Sequence, residues 1–515
     1  MATAGLILAN ANVITMDTRQ PWAELVAIRG DRILLVGSKK EQGLVRAAKA
    51  KVIDCQGKTV VPGFNDAHCH VFSLIRNLAS LDLSPSSVSS ITDIKAIIRQ
   101  HAYSTPKDEW LVGSGYNEFY LAERRHPTRW DVDEVAPCHP VILIHRSLHA
   151  CVLNSLALSL AGITTETPEP PGGLIDRDPD TGEPNGVVFE MLGYITQKVL
   201  PPPSQAEIEK GVSLANRHFL SQGVTSLQDA TVSNDFSRWE TFRQLKESGK
   251  LKSRISMMFG TEALRQFQEQ GLTCGSGDSR IRLGGVKIML SEASGRLYPA
   301  QPDLIRQALT AHQAGFQLAI HAVEPSGVEA AVSALEYVHS QSPQAGRRHR
   351  IEHCSLCPPQ LLKRLSQLQA VIVTQPAFLY YNGERYTATL SPGELKWLYR
   401  IRSFLNSGLV VAASSDCPLV PHNPLVGVYA AVTRRAQSGQ QLRPQESVSA
   451  GEALATYTVG AAYASFEEGT KGSITRGKLA DMVILSGDPL ALPPEEIKNI
   501  RVEMTIVGGE VVWET

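Results

Sequence analysis

The feature that most constrains the fold is a regular alternation of strand-like and helix-like segments through the middle of the chain. Helical patterns such as residues 303–314 and 327–338 separate short apolar runs that end in polar side chains. Repeated strand–helix units imply a parallel sheet, because each helix returns the chain to the start of the next strand. The predicted strands include residues 223–228, 283–289, 316–321, 349–353, 370–375 and 409–416.

The spacing of four chemically capable side chains indicates how these units close. Lys287, His321, His353 and Asp416 lie at or near strand ends, at intervals of 34, 32 and 63 residues. One unit of an eightfold barrel of about 250 residues takes about 31 residues. The intervals therefore correspond to one, one and two units, with Gln375 ending the intervening strand. The sequence predicts an α/β fold, a (β/α)8 TIM barrel, with these side chains at one mouth.

The two ends of the chain differ from this middle, because both consist of short β-rich runs. Since chain termini often lie close together, we expect residues 1–61 and 466–515 to form one small β-sandwich domain. Residues 62–465 would form the barrel. A stretch rich in proline, glycine and aromatic residues, at about 74–203, interrupts the barrel pattern. We interpret it as a large insertion that covers the barrel mouth and lines the substrate pocket.

His68 and His70 flank Cys69 at the end of a predicted strand. Residues i and i+2 of a strand point to the same side, so both imidazoles face one point, while Cys69 points away. Two such histidines suit Zn2+, although the motif alone also fits surface or core histidines. The positions of Lys287, His321, His353 and Asp416 favour the metal site, because four unrelated residues would otherwise have to lie at strand ends by chance.

Several further motifs carry a resemblance that spans nearly the whole chain. The sequence is similar to the amidohydrolase superfamily, and more closely to the YtcJ-like amidohydrolase 3 group, which includes N-substituted formamide deformylases. The motifs are Pro62-Gly63-Phe64-Asn65-Asp66-Ala67-His68-Cys69-His70, His149-Ala150-Cys151-Val152-Leu153-Asn154-Ser155, Gly172-Gly173-Leu174-Ile175, Ile320-His321-Ala322, Arg350-Ile351-Glu352-His353, Ser415-Asp416-Cys417-Pro418 and Gly477-Lys478-Leu479-Ala480-Asp481-Met482-Val483.

The resemblance implies a divalent metal cofactor, expected to be Zn2+. His68 and His70 would bind one ion, and His321 and His353 a second. Lys287 would bridge the two ions if its amine is carbamylated, because a carbamate supplies anionic oxygens where an ammonium group would repel metal. An unmodified Lys287 would instead stand beside a site for one ion.

Catalytic and substrate-binding roles are expected for residues at and around this centre. Asp416, also a metal ligand, would act as general base, since a metal lowers the pKa of its bound water towards about 7 and a nearby carboxylate can take the proton. Lys287 and His149 complete the predicted catalytic set, His149 through a hydrogen bond to the substrate or its oxyanion. A structural role for His149 is an open alternative. The predicted substrate-binding residues are Arg296, Gln375, His422 and Tyr380, which lie at or after the ends of predicted strands. For Tyr380, ordinary loop packing is an open alternative.

The leading functional hypothesis is hydrolysis of a C–N amide-type bond in a small molecule, such as an N-acyl or N-formyl amine. One alternative is hydrolytic deamination of a heterocycle or amidine, for which Glu324 after His321 would be a nearby carboxylate. Lys287 argues against it, because related deaminases commonly use a single metal. The other alternative is a non-catalytic, amidohydrolase-like binding protein, which would be expected to lose ligands that this chain keeps.

Composition excludes several other classes. Fifty basic residues balance 51 acidic ones, so no strong net charge favours nucleic acid or an anionic membrane. The basic run at residues 347–350 is short, and we interpret it as a solvated loop leading into a strand. The eight cysteines are scattered and include a Cys354–Cys357 CxxC pair, a pattern that fits a reducing compartment. The sequence shows no basic leader and no long apolar run. We therefore predict a cytoplasmic protein without a membrane span. Because relatives are often dimers, a homodimer is compatible with this interpretation.

Overall fold

Eight parallel strands form one sheet in the computed structural model, which describes residues 4–41, 43, 50–201, 205–292 and 295–515. We number them β1–β8 in chain order. Each is hydrogen-bonded to the next, and all seven pairings are parallel. The strands are β1 (Phe64–Cys69), β2 (Val224–Asp229), β3 (Arg254–Gly260), β4 (Ile281–Ile288), β5 (Leu318–Ala322), β6 (Arg350–His353), β7 (Val371–Thr374) and β8 (Val411–Ala413).

Backbone hydrogen bonds close this sheet into a barrel beyond the end of β8. The amide of Asp416 donates to the carbonyl of His68 at 2.8 Å, and the amide of His70 donates to the carbonyl of Cys417 at 2.9 Å. The predicted (β/α)8 barrel is confirmed. The sequence missed β3, because its run is almost entirely apolar and ends in Gly260 without a polar side chain.

Helices alternate with the strands, as the sequence predicted for the two that it delimited. Residues 303–314 and 327–338 fall within or next to helices that the structure places at Gln301–Gln313 and Pro325–Gln341. The other α-helices are Val71–Ala79, Ile91–Ser104, Arg129–Asp133, Ser155–Ala161, Leu192–Lys198, Gln205–Ser221, Phe236–Glu247, Leu264–Glu269, Pro359–Leu368, Ala377–Thr389, Ile401–Asn406, Pro424–Thr433, Ala450–Ala455 and Ala461–Ala464.

Strands from both ends of the chain build two mixed sheets that share one apolar core. Leu8 and Val26 of one sheet pack with Val60, Ile484 and Ile506 of the other. The first sheet contains Leu6–Ala9, Leu25–Arg29, Arg32–Gly37 and Lys51–Asp54; the second contains Asn12–Ile14, Trp22–Ala23, Thr59–Pro62, Met482–Leu485, Val502–Val507 and Glu510–Glu514.

The last two of these strands form the hairpin that the sequence predicted. Gly508 and Gly509 form its turn with φ angles of 56° and 78°. A tight hairpin turn needs such positive φ values, and glycine adopts them without steric cost. The predicted small β domain from both termini is therefore present.

A second compact unit consists of Val71–Ala215 and Leu290–Gln301, whereas the barrel belongs to the unit formed by the chain up to His70, Asn216–Met289 and Pro302–Thr515. This segment looks irregular in sequence, yet it holds a mixed six-stranded sheet around an apolar core that includes Leu143 and Val152. Its function as a cover for the barrel mouth, and the domain boundaries drawn from the sequence, stay predictions. Its strands are Leu81–Asp82, Leu111–Tyr116, Val141–His145, Ala150–Leu153, Leu174–Arg177 and Pro184–Phe189.

Among the described residues, no helix is long and apolar enough to cross a membrane. All eight cysteines are free thiols, including the buried Cys354 and Cys357.

Candidate metal centre

The barrel gathers six predicted ligands at the carboxyl ends of its strands. His68 and His70 come from the end of β1, Lys287 from β4, His321 from β5, His353 from β6, and Asp416 follows β8. All are buried except His70, whose side chain is 19% exposed. The carboxyl ends of barrel strands are where barrel enzymes carry their chemistry.

Asp416 is the point on which the imidazoles converge. Its Oδ1 lies 3.2 Å from Nε2 of His70 and 3.5 Å from Nε2 of His68, and its Oδ2 lies 3.7 Å from Nδ1 of His353. The ring centroids of His353 and His321 are 4.4 Å apart. Nζ of Lys287 lies 3.2 Å from Nε2 of His68. The donor atoms therefore share one small volume.

Three of the imidazoles are held through the same ring nitrogen. Nδ1 of His68 donates to Glu352 at 2.5 Å, Nδ1 of His70 contacts the Thr231 hydroxyl at 2.9 Å, and Nδ1 of His353 donates to Oε1 of Gln375, also at 2.9 Å. Metal-binding histidines ordinarily use the second nitrogen in this way, since the bond sets the tautomer and the ring orientation. It leaves the Nε2 lone pairs of His68 and His353 available to a cation.

Glu352 is itself held in place by Arg350, two residues earlier on β6. The two side chains form a bidentate pair at 2.7 and 3.0 Å, and both are 1% exposed or less. Arg350 also donates to Oε1 of Gln228 at 2.6 Å and to the carbonyl of Ala67 at 2.7 Å. A buried charge needs such full compensation, and these bonds keep Glu352 oriented towards His68.

One atom of this cluster lacks the hydrogen bond that its burial demands. Oδ1 of Asp416 is buried and accepts no hydrogen bond among the described residues. A buried carboxylate oxygen without a donor is costly, whereas a cation held by this oxygen and the nearby Nε2 atoms would compensate it. The ligand atoms of His68, His70 and Asp416 all lie within 4.8 Å of one another. Imidazole nitrogens with a carboxylate are a donor set that zinc accepts, so these residues fit a divalent metal.

The electrostatics of the cluster keep its groups in metal-binding forms. Burial, reinforced by Lys287, lowers the pKa of His68 well below its usual value, so the imidazole is neutral. Burial raises the pKa of Asp416, but the neighbouring imidazoles of His68 and His70 lower it more, and the carboxyl group stays ionised. Burial also lowers the pKa of Lys287 to about 8. Neutral amine is the form of lysine that reacts with carbon dioxide to give a carbamate.

The backbone at two of these positions adopts an uncommon conformation. His353 and Asp416 have φ angles of 70° and 56°. Residues other than glycine rarely occupy this left-handed region, and they cluster at functional sites, where the surrounding structure compensates the strain. Both residues leave their strands in this conformation, which turns their side chains into the barrel mouth.

The predicted substrate-binding residues of the barrel unit occupy three different settings. Gln375 is buried. Its amide nitrogen donates to Ser414 at 2.9 Å, and its oxygen accepts the hydrogen bond from His353, so its observed contacts orient the His353 ring. His422 is buried with Nε2 3.1 Å from Nδ1 of His218. The ring of Tyr380 packs against Tyr429, and both rings contact the Lys498 ammonium group.

The second unit contains the other two predicted site residues. His149 is held through Nδ1 by the carboxylate of Glu190, 2.9 Å away. Arg296 is exposed. The catalytic role of His149 and the substrate-binding roles of Arg296, Gln375, His422 and Tyr380 stay predictions.

Sequence reasoning did not assign roles to Glu352, Arg350 or Thr231. Arg350 and Glu352 lie on the same face of β6, next to the ligand His353 in sequence. Two charged residues at i and i+2 in a buried strand could have predicted a buried ion pair beside the site. Thr231 follows β2 by two residues, at the strand end where the other site residues lie. No spacing rule links it to His70.

Comparison with known proteins gives a consistent result. A family model described as amidohydrolase family matches residues 51–513. The chain is 30% identical to the N-substituted formamide deformylase of Arthrobacter pascens, covering 99% of this chain and 98% of that protein. It is 28% identical to the putative amidohydrolase YtcJ of Bacillus subtilis, over 90% of each chain. Among solved structures, an uncharacterized metal-dependent hydrolase from Pyrococcus furiosus has a TM-score of 0.72 and 26% identity, with 94% of this chain and 99% of that one covered.

Proposed function

Because this chain belongs to the amidohydrolase family and is a metal-dependent hydrolase, we propose that it cleaves the amide-type C–N bond of a small N-acyl or N-formyl amine. The observation that carries the proposal is the convergence of the His68 and His70 imidazoles on the Asp416 carboxylate, whose Oδ1 accepts no hydrogen bond from any described residue. The formamide deformylase relative supports the choice of bond, since it aligns over nearly the full length of both chains.

The protein residues would hold two zinc ions. His68 and His70 would bind one ion, His321 and His353 the second, and a carbamylated Lys287 would bridge them. Bound there, divalent zinc would lower the pKa of water and polarise the substrate carbonyl group. Glu352 and Gln375 would keep the His68 and His353 rings oriented through their Nδ1 bonds.

Asp416 would move the proton. Its ionised carboxylate accepts a proton from the attacking water as the water oxygen bonds to the amide carbon. The same carboxyl group then donates this proton to the leaving nitrogen as the C–N bond breaks, so the products are a carboxylic acid, or formic acid, and an amine. A buried position, 3% exposed, restricts exchange of this proton with solvent.

Metal content and substrate range test the proposal together. Protein purified without chelator should contain about two zinc ions per chain by plasma mass spectrometry, and His68→Ala should lower that number. Exposed His339 on the helix Pro325–Gln341 provides the matched control, because His339→Asn should leave metal content unchanged. One ion or none per wild-type chain would contradict the bridging role of Lys287.

The metal-replete enzyme should release amine from members of a panel of formamides, N-acyl amines and ureas, and Asp416→Asn should slow the release about 10²–10⁴-fold. A protein inert on the whole panel would contradict the proposed activity. Ammonia release from aminated heterocycles instead would assign it to the deaminases.

A further inference from the structure

A cavity of about 260 Å3 lies at the opposite ends of the barrel strands from the metal ligands. It is lined by Ser256 near the start of β3, Leu283 near the start of β4, Gln317 just before β5 and Arg350 at the start of β6. The metal ligands of β4 and β6, Lys287 and His353, lie at the other ends of those strands. The two sites are therefore distinct.

Two arginines in the cavity wall have no counterion among the described residues. Arg282 is half-buried, and its guanidinium group makes no hydrogen bond or ion pair with any residue that the structure describes. Arg347 donates to Oε1 of Gln344 and to the carbonyl of Gly315, both at 2.6 Å, but meets no carboxylate within the described ranges. Arg350, in contrast, is neutralised by Glu352. Two partly desolvated positive charges without an anion are unfavourable, and a bound anion would relieve the cost.

A serine hydroxyl group in the cavity wall adds a third donor. Ser256 is 7% exposed and lines the cavity, and its side chain has no hydrogen-bond partner in the part of the chain that the structure describes. A hydroxyl group without a protein partner is free to donate a hydrogen bond to a molecule bound in the cavity. Ser256 therefore adds a neutral donor beside the two arginines.

Glycines keep the cavity open. Gly284 and Gly285 form a bulge of β4, because Met257 pairs with Leu283 and Phe259 pairs with Val286. A Cβ atom at Gly284 would lie 3.1 Å from Oγ of Ser256, and one at Gly285 would lie 2.7 Å from the carbonyl of Gln317. Bulges of this kind are over-represented at the rims of barrels and beside functional sites.

We propose that this cavity binds a small anion, with a carboxylate or phosphate group held by Arg282, Arg347 and Ser256. The remaining wall includes Met258, Leu283 and Phe466, which can contact a short hydrocarbon portion of the ligand. Guanidinium groups suit both oxyanions, because their paired N–H donors match two oxygens. The volume is enough for a fragment-sized ligand and exceeds the space of a few water molecules.

Titration with inorganic phosphate and, separately, with malonate tests the proposal by calorimetry on the metal-loaded full chain. At least one anion should bind, and Arg282→Gln should weaken that binding by about tenfold or more, equivalent to about 1.4 kcal/mol. Arg280→Gln is the matched control, because Arg280 lies two residues away and pairs with exposed Asp278. It should change the affinity less than about twofold. Phosphate-only or malonate-only binding identifies the oxyanion; binding that Arg282→Gln leaves unchanged would overturn the site.

Cys274 offers a second readout that does not require tight binding. Its thiol lines the cavity near Arg282 and Arg347, and Cys138 is the only fully exposed cysteine. In a Cys138→Ser protein we measure the ratio of the alkylation rates by anionic iodoacetate and by neutral iodoacetamide. We expect this ratio to be higher than the ratio for a free thiol in solution. Arg282→Gln and Arg347→Gln should each lower that rate ratio several-fold, and using a ratio cancels changes in thiol exposure or pKa. An unchanged ratio in both variants, with no calorimetric binding, would overturn the proposal.

Discussion

His68 donates a hydrogen bond from Nδ1 to Oε2 of Glu352 at 2.5 Å, across 284 residues of sequence. The bond links the first and sixth strands of the barrel inside its wall. Because Arg350 holds the same carboxylate from the other side, the orientation of His68 depends on a buried, fully paired charge. The metal centre therefore extends into the barrel interior, well beyond the atoms that would touch an ion.

Replacing Glu352 tests whether this bond serves the metal. Glu352→Gln should lower zinc affinity by about 10–100-fold, because His68 loses the charged partner that sets its tautomer and basicity. Chelator competition measures this affinity. Glu446→Gln is the control: Glu446 is also buried and accepts a 2.9 Å hydrogen bond from the Ser403 amide, but it takes no part in the metal centre. Equal zinc affinity in both variants would contradict the role of Glu352.

Replacing Asp416 tests the proton transfer. Asp416→Asn should retain zinc through the histidines while kcat falls about 10²–10⁴-fold, the usual contribution of general acid–base catalysis. Metal analysis and kinetics on the best amide substrate measure the two effects separately. The control is Asp235→Asn, at a helix N-cap where asparagine serves equally well. A variant with full zinc and full kcat would exclude Asp416 as the base.

His349 predicts a pH dependence of stability remote from the metal. Its Nδ1 accepts from the Leu318 amide at 3.0 Å, and its Nε2 donates to His312 at 2.9 Å, so both nitrogens are committed in the neutral form. Burial, with the adjacent His312, lowers the pKa of His349 from 6.5 to about 3. As the pH falls below 6.5, the unfolded chain therefore binds a proton at His349 that the folded chain does not bind. The contribution of neutral His349 to the free energy of unfolding is complete above pH 6.5 and is lost as the pH falls from 6.5 towards 3.

Thermal unfolding midpoints between pH 7.5 and 4.5 measure this effect. His349→Asn keeps an acceptor for the Leu318 amide but cannot titrate, so its midpoint should fall less steeply with acid than that of the wild type. Exposed His339→Asn should follow the wild-type slope. Parallel slopes for the wild type and His349→Asn would contradict the assignment.

The buried Arg254–Asp481 pair predicts a large stability effect. Asp481 accepts two bonds from the guanidinium group, at 2.6 and 2.8 Å, and both residues are at most 6% exposed. Asp481→Ala would leave the Arg254 charge buried without a partner, at a cost of about 3–5 kcal/mol in the free energy of unfolding. Glu269→Ala, at an exposed pair with Arg265, should cost about 0–1 kcal/mol. Urea unfolding compares them, and equal losses would contradict this account.

The sequence alone determined the barrel and the strand-end positions of its ligands. A strand and its helix consume a nearly constant length of chain, so the intervals between Lys287, His321, His353 and Asp416 locate them at one mouth. The β-rich termini could also be predicted, since short strands and a Gly508–Gly509 turn are local patterns. These features depend on the spacing of apolar residues and on backbone preferences, which residues close together in sequence determine.

Only the tertiary structure decided which side chains support those ligands and which charges remain without partners. Glu352 meets His68, and Arg282 and Arg347 line one cavity, through approaches between segments far apart in sequence. The basic run at residues 347–350 illustrates the difference. The sequence predicts a solvated loop leading into a strand, whereas the structure shows that Arg350, at the start of β6, is 1% exposed and that Arg347 lines the cavity. Burial and pairing of a charge depend on the strands around it, and local sequence does not encode that environment.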